Sequence, residues 1–456
     1  MPRTRRAFHI VFEPIAGLAL RDARPFQAGV ASVAHALPFP PPPGPFWAAG
    51  RDALKATGAL RPRDHFESRG VWLLKNGERY FPAPLDLVTT LDDRGNPAGW
   101  TVMAPVSDPG KVAMDAARAS YAARDRTEED WHQGRVFAWS GEQRVVPTEG
   151  RFMSAAQWRT YLRGTASDIS LDLKPTEEFK CADDVRVGTE LAGRSAKTGR
   201  LYSEPVTFLT KGTQFEIAAE IESVEPREVP GETIVRLGGE AKIASVRFSQ
   251  PDRANAGFDD EARKAARGAI LRAALPHLLR VKLCLLTPAI YSANVNALRE
   301  YAGTAAWRPS WLRDVWTPAD RIPLPRWVRS SHSSSPAVRY ETRLAAALAG
   351  KAYPLGFWDS ELHRAPESRV QDVEADEDSG DPGRGSTKPL YRCLPAGAVY
   401  FVELRAVGDT PLEQALDDFL DRFWFRSLLL RKDGVLTFFG KMGFGVAVAG
   451  GWNDAY

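Results

Sequence analysis

The residues best suited to chemistry by type and spacing are basic and aromatic side chains around position 190. The stretch 186–203 has one acid, Glu190, and the following basic and aromatic residues: Arg186, Arg194, Lys197, Arg200 and Tyr202. Arginine pairs with phosphates as a planar fork, and aromatic rings stack on bases. The pattern is therefore typical of a contact with single-stranded RNA. A solvated basic loop is the alternative that the residues leave open.

Two glycine-rich turns form the second group of candidates. LGGEAK (237–242) and GKMGFG (440–445) each precede an alternating apolar run that predicts a strand. Glycine removes the side chain where a backbone bends sharply or approaches a ligand closely, so both a sheet corner and an RNA-facing loop fit. The RNA-contact hypothesis covers Gly238, Gly239, Lys242, Lys441, Gly443, Phe444 and Gly445.

Signs of catalysis are weak. The chain has no Walker A, GxSxG or HExxH motif, and its three cysteines are about a hundred residues apart. We predict no catalytic residue, no metal site and no cofactor. A metal-independent endoribonuclease is the runner-up, and its general base would have to be His9 or His35.

Composition and charge narrow the class of protein. With 456 residues, 44% of them hydrophobic and 26% charged, the chain fits a globular protein of two or three domains. The net charge of +3 includes six acids and no base in 370–382, which leaves +9 for the rest. This balance suits a nucleic-acid partner, although a GC-rich genome would also raise arginine. We expect no membrane span and, from the sparse cysteines, a cytoplasmic location.

Periodicity and turn residues predict the elements that position these candidates. We expect a helix over 28–37 that ends at Pro38–Pro43, a hairpin over 71–81 around Asn76–Gly77, and a polar loop over 192–201 between strands 185–191 and 202–210. The other predicted elements are strands over 8–20, 215–224, 280–291 and 395–405, and helices over 259–278 and 411–433. The fold class is α+β, in two tandem units with antiparallel sheets.

Seven sequence blocks, in order along the chain, resemble a known family. They are RPFQAG (24–29), YFPAPLDL (80–87), TGRLYSEPVTF (198–208), LGGEAKIA (237–244), LLTPAIY (285–291), KPLYRCLPAGAVYFVEL (388–404) and GFGVAVAGGW (443–452). Together they are similar to the third Cmr subunit of type III-B CRISPR effector complexes, in the RAMP superfamily. Ala241–Lys242 stand where the family pattern has Gly–Arg, and the acidic insert is particular to this chain.

The resemblance implies a fold and a role. It implies two ferredoxin-like (RRM-like) domains with glycine-rich loops, which we place at 1–250, with a thumb hairpin, and 275–456, with the acidic insert near 370–388. It implies a non-catalytic subunit that holds the 5′ repeat tag of the guide RNA and docks on the large polymerase-like subunit. The repeated backbone subunit is a further expected partner, and target RNA an indirect one. Arg24, in the first block, joins the expected RNA contacts.

Overall fold

The structure is a computed structural model. It describes residues 4–20, 32–33, 37–90, 100–106, 136–137, 145–163, 171–192, 195–225, 227–229, 231–238, 242–250, 258, 260–291, 308–309, 311–313, 315–322, 338–355, 391–429 and 434–453. The acidic insert, Arg24, His35, Arg194 and Gly239 lie outside these residues.

Strands outnumber helices in the described part of the chain. The strands up to residue 249 are β1 (Thr4–Pro14), β2 (Ser32–Val33), β3 (His65–Lys75), β4 (Glu78–Pro82), β5 (Leu87–Thr90), β6 (Thr101–Val102), β7 (Pro105–Val106), β8 (Val136–Phe137), β9 (Val145–Pro147), β10 (Arg151–Ser154), β11 (Lys174–Pro175), β12 (Lys180–Ala192), β13 (Ser195–Leu209), β14 (Thr213–Ser223), β15 (Glu232–Arg236) and β16 (Ile243–Ser249). Those that follow are β17 (Leu279–Leu285), β18 (Thr317–Pro318), β19 (Tyr340–Leu348), β20 (Tyr353–Leu355), β21 (Tyr391–Cys393), β22 (Val399–Ala406), β23 (Arg426–Ser427) and β24 (Val446–Gly451).

The α-helices of the described residues are α1 (Gly44–Ala56), α2 (Ala155–Leu162), α3 (Asp260–Arg272), α4 (Leu412–Phe423) and α5 (Gly434–Lys441). None of the helices in these described ranges is long and apolar enough to cross a membrane.

Two antiparallel sheets organise the chain. The first has the strand order β11-β10-β4-β3-β14-β1-β16-β15, and the second has the order β18-β19-β22-β17-β24-β23. Four adjacent strands in each sheet, β3-β14-β1-β16 in the first and β19-β22-β17-β24 in the second, follow the same spatial order 2-3-1-4 when each set is numbered 1 to 4 along the chain. The mixed α+β class with antiparallel sheets is thereby confirmed.

Helices cover one face of each sheet. The α1 ring of Phe46 packs edge-on to Phe12 of β1, with ring centroids 5.4 Å apart, and contacts Phe215 of β14 at 4.9 Å. On α4 four apolar residues that share a helical face are fully buried, namely Leu416, Phe419, Leu420 and Phe423. One continuous apolar core results, drawn from both sheets.

Several predicted elements differ from the structure. Ser32–Val33 is a strand inside the predicted helix 28–37, and the proline run precedes a helix, α1, that the pattern did not predict. Proline is tolerated in the first turn of a helix because that turn leaves its N–H groups unbonded, so prolines mark a beginning here. The predicted helix 411–433 stops at Phe423, where Trp424 is extended and Phe425 has φ +51°.

Strand and hairpin predictions agree better with the structure. Asn76 and Gly77 both have positive φ and join β3 to β4, which confirms the hairpin at 71–81. The strand predicted over 215–224 is β14, which begins two residues earlier and ends one residue earlier. The strand predicted over 395–405 is β22, which begins four residues later and ends one residue later. The first strand ends at Pro14, earlier than predicted, and β17 ends at Leu285.

Candidate nucleic-acid interface

A long hairpin carries most of the predicted RNA contacts. β12 and β13 pair antiparallel from Lys180 opposite Leu209 to Ala192 opposite Ser195, with two register shifts. At about 3.3 Å per residue, the strands span about 40 Å. They form a three-stranded sheet with β2 that is separate from the two large sheets.

The base of the hairpin is fixed to the first half of the chain by backbone hydrogen bonds. Leu18 and Thr207 exchange N–H···O bonds of 2.8 Å in both directions, while Thr210 N–H closes the root of the hairpin itself by donating to the Phe179 carbonyl at 3.0 Å. Gly17 permits the first contact, because a Cβ there would lie 2.2 Å from the Val206 side chain. The hairpin is therefore a built extension of the fold, anchored at its root.

The register places the predicted residues along this hairpin. Arg186 pairs with Glu204 and Gly188 with Tyr202 in the backbone ladder, and Lys197 and Arg200 lie on β13. The predicted polar loop 192–201 is wrong, because β12 continues to Ala192 and β13 begins at Ser195. Arg194 falls outside the described residues. The candidates thus sit on strands, at fixed positions in the ladder.

A small cavity of about 170 Å³ opens beside the hairpin root. Lys75 and Lys174 line it with Glu78, Glu178 and the rings of Tyr80 and Phe179. The Lys75 ammonium lies 5.6 Å from the Phe179 ring centroid and is hydrogen-bonded to the Glu178 carbonyl. Burial, and then the hydrogen bond to Glu78, raise the pKa of the Tyr80 hydroxyl. The cavity places two lysines and two aromatic rings together at the hairpin base, but its two glutamates balance the charge of the lysines.

The first glycine turn stands at the surface. Gly238 is exposed and has φ +87°, and a Cβ there would lie 2.7 Å from the Ala19 carbonyl oxygen. Leu237 N–H closes the turn by donating to the Lys242 carbonyl at 2.9 Å. The Lys242 side chain is half-buried. The glycine is required by the bend and by contact with residues 19–20, and Lys242 stands beside it.

The C-terminal glycine turn lies inside the molecule, which corrects the prediction for Gly443, Phe444 and Gly445. The Phe444 ring is fully buried against Phe439, so it is not available to stack on a base. The amides of all three residues donate to backbone carbonyls, of Gly440, Phe439 and Pro288 respectively. The turn therefore has no amide left for a phosphate.

The same turn joins the two halves of the chain. A Cβ on Gly443 would lie 2.6 Å from the Gly70 carbonyl oxygen of β3, and the φ of Gly443 is +96°. Ser68 of β3 donates its hydroxyl to the Met442 carbonyl at 2.9 Å. Thr287 donates to the Gly443 carbonyl at 2.7 Å and accepts from the Val446 amide at 2.9 Å. Glycine is needed here because two backbones meet.

Sequence reasoning missed a group of charges near Lys441. Arg69 of β3 pairs with Glu220, and Arg426 of β23 lies close enough to Arg69 for the two to repel. Burial, and then Arg69, lower the pKa of Arg426 to about 10. Burial, and then Glu220, raise the pKa of Glu67, although Lys441 opposes this. These residues come from four elements distant in sequence, so only the strand register shows the cluster.

The candidate histidine is part of the interior. His9 of β1 is 7% exposed, and its Nδ1 lies 3.1 Å from Oε1 of Glu216. Glu216 also accepts from Arg79 Nη2 at 2.8 Å and Trp72 Nε1 at 2.6 Å. Burial acts to raise the pKa of Glu216, but hydrogen bonds from Arg79 and His9 outweigh it and hold the pKa at about 2. His9 is thus engaged with a buried carboxylate; His35 lies outside the described residues.

A second buried ionic group links the halves. Asp86, which follows β4, accepts from Lys282 Nζ of β17 at 2.9 Å and from the Tyr161 hydroxyl at 2.7 Å. The capping box of Ser154 and Gln157 begins α2 and so positions Tyr161. The side chains of Asp86, Lys282 and Tyr161 are essentially buried. Among the described residues no group of three His, Cys, Asp or Glu side chains could hold a metal ion.

Comparison with known proteins gives one family. The sequence model of the family described as CRISPR-associated protein (Cas_Cmr3) matches residues 10–452. No protein with a curated description matches the chain. A chain in the cryo-EM structure of the Type III-B Cmr-beta bound to cognate target RNA and AMPPnP, state 1, is 11% identical, with 91% of this chain and 88% of that chain covered and a TM-score of 0.35. A chain in the structure of Type III-B Cmr-beta bound to cognate target RNA is 12% identical, with 96% and 95% covered and a TM-score of 0.35.

Proposed function

Because the chain belongs to the Cas_Cmr3 family of CRISPR-associated proteins, we propose that it is a non-catalytic, guide-RNA-binding subunit of a type III-B effector complex. In this role it holds the 5′ repeat tag of the guide RNA. It docks on the large polymerase-like subunit and on the repeated backbone subunit, and it meets target RNA only through the guide.

The observation that carries the proposal is the hairpin formed by β12 and β13. It is the longest strand pair in the described part of the chain, it is anchored at its root, and it bears Arg186, Lys197, Arg200 and Tyr202. Cations and an aromatic residue on an extended ribbon suit a strand of RNA, whose phosphates pair with arginine and whose bases stack. We assign this hairpin as the thumb. Lys242 and Gly238, at the surface turn, complete the proposed contact set.

We further propose that both halves are ferredoxin-like domains, with boundaries at 1–250 and 275–456. The shared 2-3-1-4 strand order supports this, since it is the order of a βαββαβ unit. In the first half α1 joins β1 to β3, the first and second strands of the unit, and in the second half α4 lies between β22 and β24, the third and fourth strands. Within the described residues, each half therefore has one of the two helices of its own βαββαβ unit.

Binding is favoured over the endoribonuclease alternative by the position of His9. A general base must reach the 2′-hydroxyl that it deprotonates, and His9 is buried beside the ionised Glu216. The alternative then rests on His35 alone. Incubating the chain with repeat-containing RNA tests this, and specific cleavage that disappears in His35→Ala would overturn the binding assignment.

The hairpin assignment is tested by the salt dependence of RNA affinity. Replacing Arg186, Lys197 and Arg200 with Ala should lower the magnitude of the log–log salt slope by about 2, at about 0.7 per phosphate contact. A matched variant removes three exposed cations elsewhere, Lys264, Arg313 and Lys351, and should keep the slope. RNA with the natural tag is compared with RNA carrying a scrambled tag. An unchanged slope in the hairpin variant, or equal affinity for both tags, would contradict the proposal.

A further inference from the structure

The outer strand of the first sheet has an open edge. β15 pairs with β16, and no other strand in the described ranges pairs with it. Phe248 N–H donates to the Gly231 carbonyl at 3.0 Å, and Leu237 N–H donates to the Lys242 carbonyl at 2.9 Å. Hydrogen-bonded pairs alternate along an antiparallel ladder, so Thr233 and Val235 bond toward β16. The N–H and C=O groups of alternate residues point outward, namely those of Glu232, Ile234 and Arg236.

An exposed apolar patch lies beside this edge. Ile234 is 65% exposed, Ile15 is 56% exposed and Ile243 is 39% exposed. Ile15 N–H donates to the Ile243 carbonyl at 3.1 Å, and the register sets Ile243 opposite Arg236, two residues from Ile234. Three of the seven large apolar side chains exposed among the described residues therefore share one corner of the sheet. A patch of this kind marks an interaction site more often than scattered exposed residues do.

The centre of the edge is open to pairing. Natural proteins protect edge strands by keeping them short or by placing charged residues, proline or a bulge on them. β15 is short and has a charged residue at each end, Glu232 and Arg236, but it has neither lysine nor proline, its pairing with β16 has no register shift, and its central residue, Ile234, is 65% exposed. Val235, by contrast, points to the buried face. Among the strands that the structure describes, β15 is thus paired on one side only.

We propose that β15 is a docking edge for an extended strand of another protein subunit in the assembly. Outward N–H and C=O groups at strand spacing fit a polypeptide backbone, as in β-strand addition. Glu232 and Arg236 lie at the two ends of β15, and Ile234 lies at its centre. The docked strand therefore carries a basic residue opposite Glu232, an apolar residue opposite Ile234 and an acidic residue opposite Arg236. The proposal depends on the proposed function only in that the chain works within an assembly.

RNA and a second copy of the chain fit this edge less well. The isoleucine patch offers nothing to a phosphate, and the exposed Glu13 and Glu232 offset the charges of the exposed Arg236 and Arg247 on the same corner. ETIVR is complementary to itself when paired antiparallel, because Glu232 then faces Arg236. However, a five-residue edge buries far less than the about 800 Å² per partner of a stable interface. Within an assembly, other contacts raise the effective concentration of the docked strand and remove this limit.

Residue-resolved hydrogen exchange tests the docking. In the isolated chain, the amides of Ile234 and Arg236 should exchange quickly, and those of Thr233 and Val235 slowly. In the complex assembled by co-expression with the other subunits and guide RNA, the Ile234 and Arg236 amides should become at least tenfold slower. Unchanged exchange in the complex would overturn the proposal. So would protection of the Ile234 amide produced by RNA alone, or protection that grows with the concentration of the isolated chain, which would indicate RNA or a second copy.

Two variants give an independent readout. Ile234→Pro removes an outward N–H without taking a bond from β16, and Ile234→Asp puts a charge into the patch. Val315→Asp, at a residue 55% exposed in the other half of the chain, is the matched control. Both Ile234 variants should lower recovery of the assembled complex at least tenfold, while the control leaves it unchanged. If Ile234→Pro unfolds, Ile234→Asp decides, and normal assembly in that variant overturns the proposal. Tag-RNA affinity of the isolated variants should equal wild type, so loss of docking is distinguishable from failure of the RNA-binding assignment.

Discussion

The two glycine turns share a sequence pattern and differ in what surrounds them. Gly238 is exposed beside Lys242, whereas Gly443 and Gly445 are buried and their amides donate to backbone carbonyls. Both turns need glycine, because each has positive φ and a neighbouring carbonyl in the space that a Cβ at Gly238 or Gly443 would occupy. A glycine-rich turn before a strand therefore indicates close backbone approach, and only the partners of its amides show whether a ligand or the protein itself makes that approach.

The interior turn belongs to a junction between the two halves, and the hairpin belongs to the proposed RNA-binding surface. Substitutions in the two regions should therefore affect different measured quantities, namely stability and RNA affinity. Changes in the junction should lower stability and leave the RNA affinity of the folded protein intact. Changes on the hairpin should do the reverse.

The largest expected effect is at the buried pair of Asp86 and Lys282. Asp86→Ala leaves the Lys282 ammonium buried without its carboxylate, and should cost about 3–5 kcal/mol of unfolding free energy. Lys282→Met in the same chain should recover part of this loss, because the unpaired charge is gone. Denaturant unfolding of both variants measures it. A single variant as stable as wild type would show that the pair does not hold the junction.

Gly443→Ala should cost about 3 kcal/mol, since a methyl group in the left-handed region also meets the Gly70 carbonyl. Gly77→Ala is the matched control: its φ is +85°, but nothing lies within 4 Å of a Cβ there, so about 1 kcal/mol is expected. Thermal melting and tag-RNA affinity are measured on the same preparations. A folded Gly443→Ala protein that has lost RNA binding would move this turn back to the RNA surface.

The sequence predicted local features well and their placement poorly. Asn76–Gly77 and the alternating strand around Phe215 were readable because turn chemistry and period-2 burial are local signals. The helix after the proline run was missed because prolines were read as an end, although a first helical turn tolerates them. The hairpin strands continue through the polar stretch 192–201, where composition favours a loop and only pairing with a partner strand specifies a ribbon.

The candidate site was predictable in part for the same reason. A cluster of basic residues near Tyr202 is visible in the sequence, and the structure places Arg186, Lys197 and Arg200 along one strand pair. The burial of Phe444 was not visible, because it results from packing against Phe439, which belongs to a helix, α5, that the pattern did not predict. Arg69 and Arg426 meet only through the contact between the halves.

Acid should weaken the interior of the first half before it affects the hairpin. The pKa of Glu216 is held at about 2, below its unfolded value of about 4.3, so its contribution is fully present above the unfolded pKa and is lost as pH falls toward 2. The shift corresponds to about 3 kcal/mol. Unfolding free energies between pH 6 and pH 2 measure it, with Glu216→Gln as the comparison. That variant should show a flatter pH dependence; an equal slope would assign the acid sensitivity to other carboxylates.

The smallest effect is expected from the acidic insert, which lies outside the described residues. Six carboxylates in residues 370–382 repel one another and repel RNA phosphates, and the segment has few apolar side chains with which to build a core. Deleting these residues should change the unfolding free energy by less than about 0.5 kcal/mol, as for a surface change away from packed groups. Tag-RNA affinity should stay within about twofold, because the hairpin cations remain. Comparing the deletion with the hairpin variant in the same salt titration sharpens the contrast, since only the hairpin variant should change the slope. A deletion that abolishes assembly while stability and RNA affinity hold would instead assign the insert to a basic surface on a partner subunit.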